Sequence, residues 1–327
     1  MIRRIACALL CLSSLAVQAA GPLPSWNDTV TRKAIIAFVD QAATQGAPGF
    51  LPVSERIAVF DMDGTLIPEK PLPAAAMPLF ADLKEAVAKD PALKQKPAIA
   101  ALLKGDIAGV EASGEAGLAE IVAAITDGKT VEEAGADMRK VLDEAKNERY
   151  GKPYPELAYQ PMLELLDYLR AHGFQIWICS GSPVVFTRQF SQRSFGIPPQ
   201  QVIGSNATTR FAERDGRSVL VYTGQLAHIN DREGKPPAIE LAIGQRPAFV
   251  GGNVGGKGDI AMMRYSKDRQ GPSFQLLVNH NDAAREFAYA EKDNYSLDAA
   301  KKYGFAVVDM QRDWATILAP APAGAPR

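Results

Sequence analysis

Two aspartates two positions apart, Asp61 and Asp63, follow a short apolar run in IAVFDMDGTLIPEK, and Gly64 and Thr65 follow them. Carboxylates held this close raise each other's cost of ionisation unless a cation lies between them or one keeps its proton. Both solutions are chemically useful. A magnesium ion would keep Asp61 ionised as a nucleophile, and a protonated Asp63 could donate to a leaving oxygen. Gly64 permits the tight turn that a phosphate-sized group needs against backbone N–H groups. An Asp-Gly turn leading into a helix N-cap explains the same residues without any chemistry, so further positions must separate the two.

Two later stretches repeat the pattern of an apolar run ending in small or charged residues, and a third sets a lysine at a helix start. FQIWICSGSP ends in Ser180-Gly181-Ser182 before Pro183. A hydroxyl and free N–H groups at a helix N-terminus suit a phosphoryl oxygen, although a plain N-cap uses them too. DREGKPPAIELAIG puts Lys235 at a helix start, where a lysine is ordinarily a solvated charge. RPAFVGGNVGGKGDIAMM runs into a glycine-rich loop carrying Asn253 and Asp259, and an acid at the next helix start fits a magnesium ligand. His172, His228 and His280 are scattered without metal-ligand spacing, which argues for ordinary surface or core roles and against zinc. Asn281-Asp282 reads as a helix cap; Glu69 and Lys70 read as solvated linker, with a place facing the cleft between cap and core as the alternative.

Positioning these residues requires a sheet. Runs apolar at consecutive positions predict strands at Ile57–Phe60, Phe174–Cys179, Val202–Gly204, Ala248–Gly251, Phe274–Val278 and Phe305–Val308, each buried on both faces. Helical patterns lie between them. One starts at Pro161, with Met162, Leu165, Leu166 and Leu169 on one face and Gly173 closing it. The alternation predicts an α/β fold, a doubly wound parallel Rossmann-like sheet with sites at the carboxyl ends of its strands. Two segments interrupt it. From Pro71 to about Pro155 there is no strand signal, only Ala- and Leu-rich helices, one beginning at Thr130 with Glu133 in capping-box spacing. Ala207–Gly224 reads as a small β-hairpin insertion turning at Asp215-Gly216. The expected organisation is a leader at 1–20, an α/β core from 21–70 and 156–318, a helical cap at 71–155 and a disordered Pro/Ala-rich tail at 319–327.

The chain has 327 residues, 47% hydrophobic and 22% charged, with 36 basic and 37 acidic residues and a net charge of −1. No basic stripe is present, which disfavours a nucleic-acid partner. MIRRIACALLCLSSLAVQAAG has a basic start, a short apolar stretch and a small-x-small end, the pattern of a cleaved secretory signal. The stretch is short for a membrane span of ~30 Å, so no membrane attachment is expected after cleavage. The expected location is periplasmic or secreted. With the leader removed, Cys179 is the sole cysteine, and stability cannot come from an internal disulfide.

Taken together, Asp61-x-Asp63-Gly-Thr, Ser180, Lys235 and Gly-Asn253…Gly-Asp259 occur in the order seen in the haloacid dehalogenase superfamily. The chain resembles its phosphatase branch, including secreted bacterial phosphoserine-phosphatase-like hydrolases, over roughly Trp26 to Trp314. The resemblance implies that Asp61 attacks phosphorus to form an aspartyl-phosphate. It implies that Asp63 protonates the leaving alcohol and then activates water. Thr65, Ser180, Gly181 and Lys235 would seat the phosphoryl group, and Asp61, the Asp63 carbonyl, Asn253 and Asp259 would hold Mg2+. An acid at position 63 suits phosphomonoesters; the dehalogenases of the superfamily lack it. The usual fourth motif is Gly-Asp-x-x-x-Asp, whereas Asn253 occupies the first place here and Asp259 comes six residues later. Asp259 is therefore expected to be the principal metal-binding acid. The implied activity is hydrolysis of a small-molecule phosphomonoester. The alternatives are phosphotransfer to an alcohol acceptor, or a catalytically degenerate phosphate- or ligand-binding protein.

Overall fold

Ile57–Phe60 (β1) is buried at every position, and its side chains divide by parity: Ile57 and Val59 enter one core, Ala58 and Phe60 the other. That division follows from the alternation of side chains along a strand. The computed structural model describes residues 21–255 and 257–318; the leader read at 1–20 and the tail at 319–327 lie outside the described residues. The other strands are Gln175–Pro183 (β2), Val202–Arg214 (β3), Arg217–His228 (β4), Phe249–Asn253 (β5), Phe274–Asn279 (β6) and Ala306–Asp309 (β7). They form one sheet in the order β4-β3-β2-β1-β5-β6-β7, parallel throughout except for the antiparallel β3–β4 pair.

Helices cover both faces, as parallel strands require. On one side Val30–Ala43 and Gln160–Ala171 bury Ile35, Val39, Leu165 and Leu169 against Phe60, Ile178 and Phe249. On the other, Lys235–Ile243, Ile260–Lys267 and Tyr295–Tyr303 bury Ile239, Met263 and Ala300 against Val59, Val250 and Leu277. Pro161 sits in the first turn of its helix, where its missing N–H costs nothing, and Gly173 takes φ +78° just past the end. The fold is the α/β doubly wound architecture that the alternation predicts.

Between β1 and β2 the described chain is helical. Ala76–Lys89, Pro97–Leu103 and Gly114–Thr126 share a small core of Leu83, Ile99, Leu102, Ile121 and Ile125. Val131–Glu144 follows, with Thr130 and Glu133 forming the reciprocal capping box read from their spacing. Its Met138 and Leu142 join the main core, so the cap is anchored as well as stacked.

Three elements differ from expectation. β2 runs on through Ser180-Gly181-Ser182 to Pro183, with a register irregularity against β3, so the two serines lie in the strand's irregular end rather than beyond it. Val202–Gly204 and the hairpin are not separate: one strand of 13 residues pairs with β2 and then, past Ser205, with β4. The polar face of Ala207–Arg214 is solvated, and that change in pattern makes the continuous strand read as two. Asp215 (φ +51°) and Gly216 (φ +71°) make the two-residue turn. Finally, Asn281-Asp282 opens no helix of its own: Asp282 closes an isolated turn by accepting from the Arg285 N–H at 3.1 Å, and Asn281 Oδ1 accepts the Gln311 N–H at 3.2 Å in the first turn of the distant helix Met310–Asp313.

Candidate active site

The carboxyl ends of β1, β2 and β5 meet the start of helix Lys235–Ile243 around one cavity of about 410 Å³. Asp61, Asp63, Ser180, Gly181, Lys235, Asn253 and Asp259 all line it. Thr65 is fully buried beneath the cavity and donates to Asp61 Oδ2 at 3.4 Å. Every candidate catalytic, phosphate-seating or metal-binding residue named from the sequence is thus in one neighbourhood.

Lys235 is the hub. Its ammonium is 2% exposed, donating to Asp61 Oδ1 at 2.7 Å and to Asp259 Oδ1 at 2.6 Å. Burial alone would pull this lysine down, but the two facing carboxylates outweigh it and hold its pKa well above the ordinary value. The other oxygen of Asp259 accepts the Asn253 backbone N–H at 2.9 Å. Both oxygens of Asp259 are therefore engaged, a different arrangement from an acid aimed freely at a metal. Burial and Asp259 hold the Asp61 carboxyl well above the ordinary carboxylate range, against the opposing pull of Lys235.

Asp63 is held apart from Asp61. Its two oxygens accept the Ser182 hydroxyl at 2.8 Å and the Ala74 N–H at 3.3 Å. Burial pushes its carboxyl up to about 6, against the opposing pull of the Ser182 hydrogen bond, and Glu69 adds to the rise. Ser180 Oγ accepts the Ser182 N–H at 3.1 Å, and the Ser180 carbonyl accepts from Asn230 Nδ2 at 2.8 Å. Gly64 sits at φ +77°, where a Cβ would fall 2.1 Å from Asn253 Nδ2. Only glycine allows the first and fourth motifs to approach this closely.

The donors around the cavity are hard oxygens: five carboxylates, from Asp61, Asp63, Glu69, Asp231 and Asp259, stand against the single ammonium of Lys235. That excess of negative charge would repel an anion unless a cation shared the cavity, and an oxygen set of this kind suits magnesium. Among the described residues no three His, Cys, Asp or Glu side chains converge as a ready-made metal cage. Magnesium commonly keeps several waters and takes only one or two protein carboxylates, so the two observations are compatible.

The family model for haloacid dehalogenase-like hydrolases matches residues 58–264, a stretch that contains every one of these side chains. The chain belongs to that family. No curated protein matches it in sequence. Among solved structures, a conserved protein of unknown function from Anaerococcus prevotii is 15% identical with a TM-score of 0.53, covering 84% of this chain and 90% of its own. That likeness shows a shared fold. A protein of unknown function from Bordetella pertussis is 17% identical, covers 78% and 99%, and has a TM-score of 0.48. A phosphoserine phosphohydrolase-like protein from Francisella tularensis is 16% identical, covers 79% and 95%, and has a TM-score of 0.39.

In this dehalogenase-like site, sequence reasoning missed a supporting layer. Ser182 and Asn230 brace Asp63 and Ser180. Glu69 is no solvated linker: its side chain is 16% exposed, lines the cavity and accepts from Asn253 Nδ2 at 3.5 Å. His280 is buried, and its Nε2 donates to the Gly64 carbonyl at 2.8 Å while Nδ1 meets Glu286 at 3.1 Å. Tyr289 stacks on the His280 ring at 4.3 Å, and its hydroxyl lies 3.3 Å from Asn253 Nδ2. The one available signal was that His280 and Asn281 follow the β6 run directly, at the strand end where sites gather.

Proposed function

We propose that the chain is a magnesium-dependent phosphomonoester hydrolase working through an aspartyl-phosphate. The observation that carries this reading is the asymmetric treatment of two neighbouring acids. Asp61 is fixed at 2.7 Å from a buried ammonium, while Asp63 is held by a hydroxyl and pushed up to about 6. One acid is paired with a cation and the other is poised to exchange a proton.

In the first step an Asp61 carboxylate oxygen attacks phosphorus, the ester P–O bond breaks, and Asp63 gives its proton to the departing alkoxide. In the second, Asp63 takes a proton from water, the water oxygen attacks phosphorus, and phosphate leaves with Asp61 restored. Lys235, the Ser180 hydroxyl and the N–H groups around Gly64 offset charge on the phosphoryl oxygens, the main demand of phosphoryl transfer. Magnesium would be held by the Asp61 carboxylate, the Asp63 carbonyl and the Asn253 side chain, with Asp259 lending charge from behind Lys235. When bound, it neutralises the incoming phosphate. The leader pattern supports a periplasmic or secreted setting.

The test is phosphate release from p-nitrophenyl phosphate by the purified protein, with magnesium and with a chelator, beside Asp61→Asn. Metal-dependent turnover that is absent in the variant is the expected result. Substrate binding without turnover in any metal would mark an inert binder. Added alcohol that diverts phosphate into a new ester would mark a phosphotransferase.

A further inference from the structure

The carboxylate cavity has an apolar neighbour. Between the cap helix Gly114–Thr126 and the β3–β4 hairpin lies a second cavity of about 210 Å³. Gly181 and Leu118 line both cavities, so the two are contiguous at the phosphate-seating loop. Its walls are Leu79, Val122, Ile125, Val184, Leu226 and Ile229, most of them only half-buried. No charged side chain lines it among the described residues. Two of its few hydroxyls are already spent: Thr126 donates to the Val122 carbonyl at 2.7 Å and Ser205 to the Gly181 carbonyl at 2.7 Å.

Half-buried aliphatic side chains from cap and core facing one space leave apolar surface wet, a cost that an apolar occupant removes. A cationic or polyhydroxylated group placed there would lose hydration and meet only the Asn206 amide and the Tyr222 hydroxyl besides the spent hydroxyls. Building on the phosphatase reading, we propose that this cavity receives the apolar leaving group of the substrate, which makes the preferred substrate a phosphate monoester of a medium-chain alkyl or aryl alcohol. The phosphoryl group sits at Asp61 and the carbon chain passes Gly181 and Leu118 into the cavity. Scaled from the ~150 Å³ apolar cavity that holds benzene, the space takes about eight carbons.

The experiment compares kcat/KM for ethyl, butyl, hexyl, octyl and dodecyl phosphate, with glycerol phosphate as the polar control, using the mature protein and magnesium. The straight-chain alcohols have nearly equal leaving-group basicity, so chain length varies binding and little else. Each buried methylene is worth about fourfold. The expected profile rises with length, puts octyl roughly 4,000-fold above ethyl phosphate when all six added methylenes are buried, and levels off beyond it. Val122→Trp, which fills the cavity from the cap side, is expected to collapse the octyl-to-ethyl ratio; a ratio taken within one preparation is insensitive to the fraction folded. A flat profile, a preference for glycerol phosphate, or an unchanged ratio in Val122→Trp overturns the proposal and leaves phosphomonoester hydrolysis standing. Failure to release phosphate from any ester, p-nitrophenyl phosphate included, overturns both.

Discussion

Replacing Lys235 with methionine keeps most of the stem that fills its slot and removes the charge. Asp61 and Asp259, 8% and 3% exposed, would then face each other with no cation between them. Removing one partner of a buried ion pair costs ~3–5 kcal/mol. At ~2–4 °C per kcal/mol for a chain of this order, melting should fall by roughly 10 °C. The pH dependence fixes the cause. The Asp61 carboxyl already lies above its unfolded value and without Lys235 loses the cation that lowers it, so the folded state binds more protons than the unfolded one. The penalty is then full at neutral pH and shrinks as pH falls through the raised value. Thermal scans of wild type and variant at about pH 7.5 and about pH 5 should show the gap narrowing in acid. Adding Asp259→Asn removes one of the stranded charges and should return part of the lost stability. It should not return turnover, because a preorganised charge beside the transferring group is worth ~3 kcal/mol, or about 100-fold in rate. A Lys235→Met variant that melts with wild type at neutral pH, or a double variant with full activity, would refute the assignment of Lys235 as the electrostatic hub.

Further predictions follow from the same geometry. Asp63, raised to about 6 by burial, must carry a proton to assist departure of an alkoxide, so kcat/KM for alkyl phosphates should decline as pH rises past about 6. p-Nitrophenyl phosphate, whose leaving group needs no proton, should show a flatter limb; identical limbs for both ester types would contradict the role. Gly64→Ala puts a methyl 2.1 Å from Asn253 Nδ2 and should cost at least about 100-fold in turnover by displacing the two motifs. Gly46→Ala, at φ +84° in open space, measures backbone strain alone and should leave the rate untouched. His280→Ala should lower kcat by about 10–100-fold through loss of its hold on the Gly64 carbonyl, with KM nearly constant, as measured by steady-state kinetics. Asp259→Ala should abolish magnesium-dependent phosphate release, since it leaves Lys235 paired with Asp61 alone and releases the Asn253 backbone; Asn253→Ala should weaken the metal response less, which a magnesium titration of activity would show.

The core strands were legible because β1 and β5 are buried at every residue and the parity of their side chains is written locally. Asp61 and Asp63 stood out for a similar reason: acids at the end of a buried run are conspicuous. Lys235 was not legible by itself. A lysine opening a helix is normally solvated, and only its agreement in order with the other motifs marked it. Glu69, Asn230 and His280 were illegible for a different reason. Their roles depend on partners 184, 50 and 216 residues away, and no local pattern encodes such a meeting. The hairpin was found but detached from β3, because a strand that leaves the packed sheet for solvent changes its pattern midway while its hydrogen bonding continues.

The β3–β4 arm has a consequence for how the cleft opens. Gly128 N–H donates to the Tyr222 carbonyl at 3.1 Å, Tyr222 N–H to the Lys129 carbonyl at 2.9 Å, and Arg214 to the Gly128 carbonyl at 2.6 Å. Lifting the helices away from the arm would break all three, whereas carrying the arm along breaks none. The moving body is therefore assembled from two stretches far apart in sequence. Its flexure falls on the register irregularities between Asn206 and Thr209, where the ladder is already interrupted. An opening that keeps these three bonds must bend the sheet's own margin at that short piece of β3.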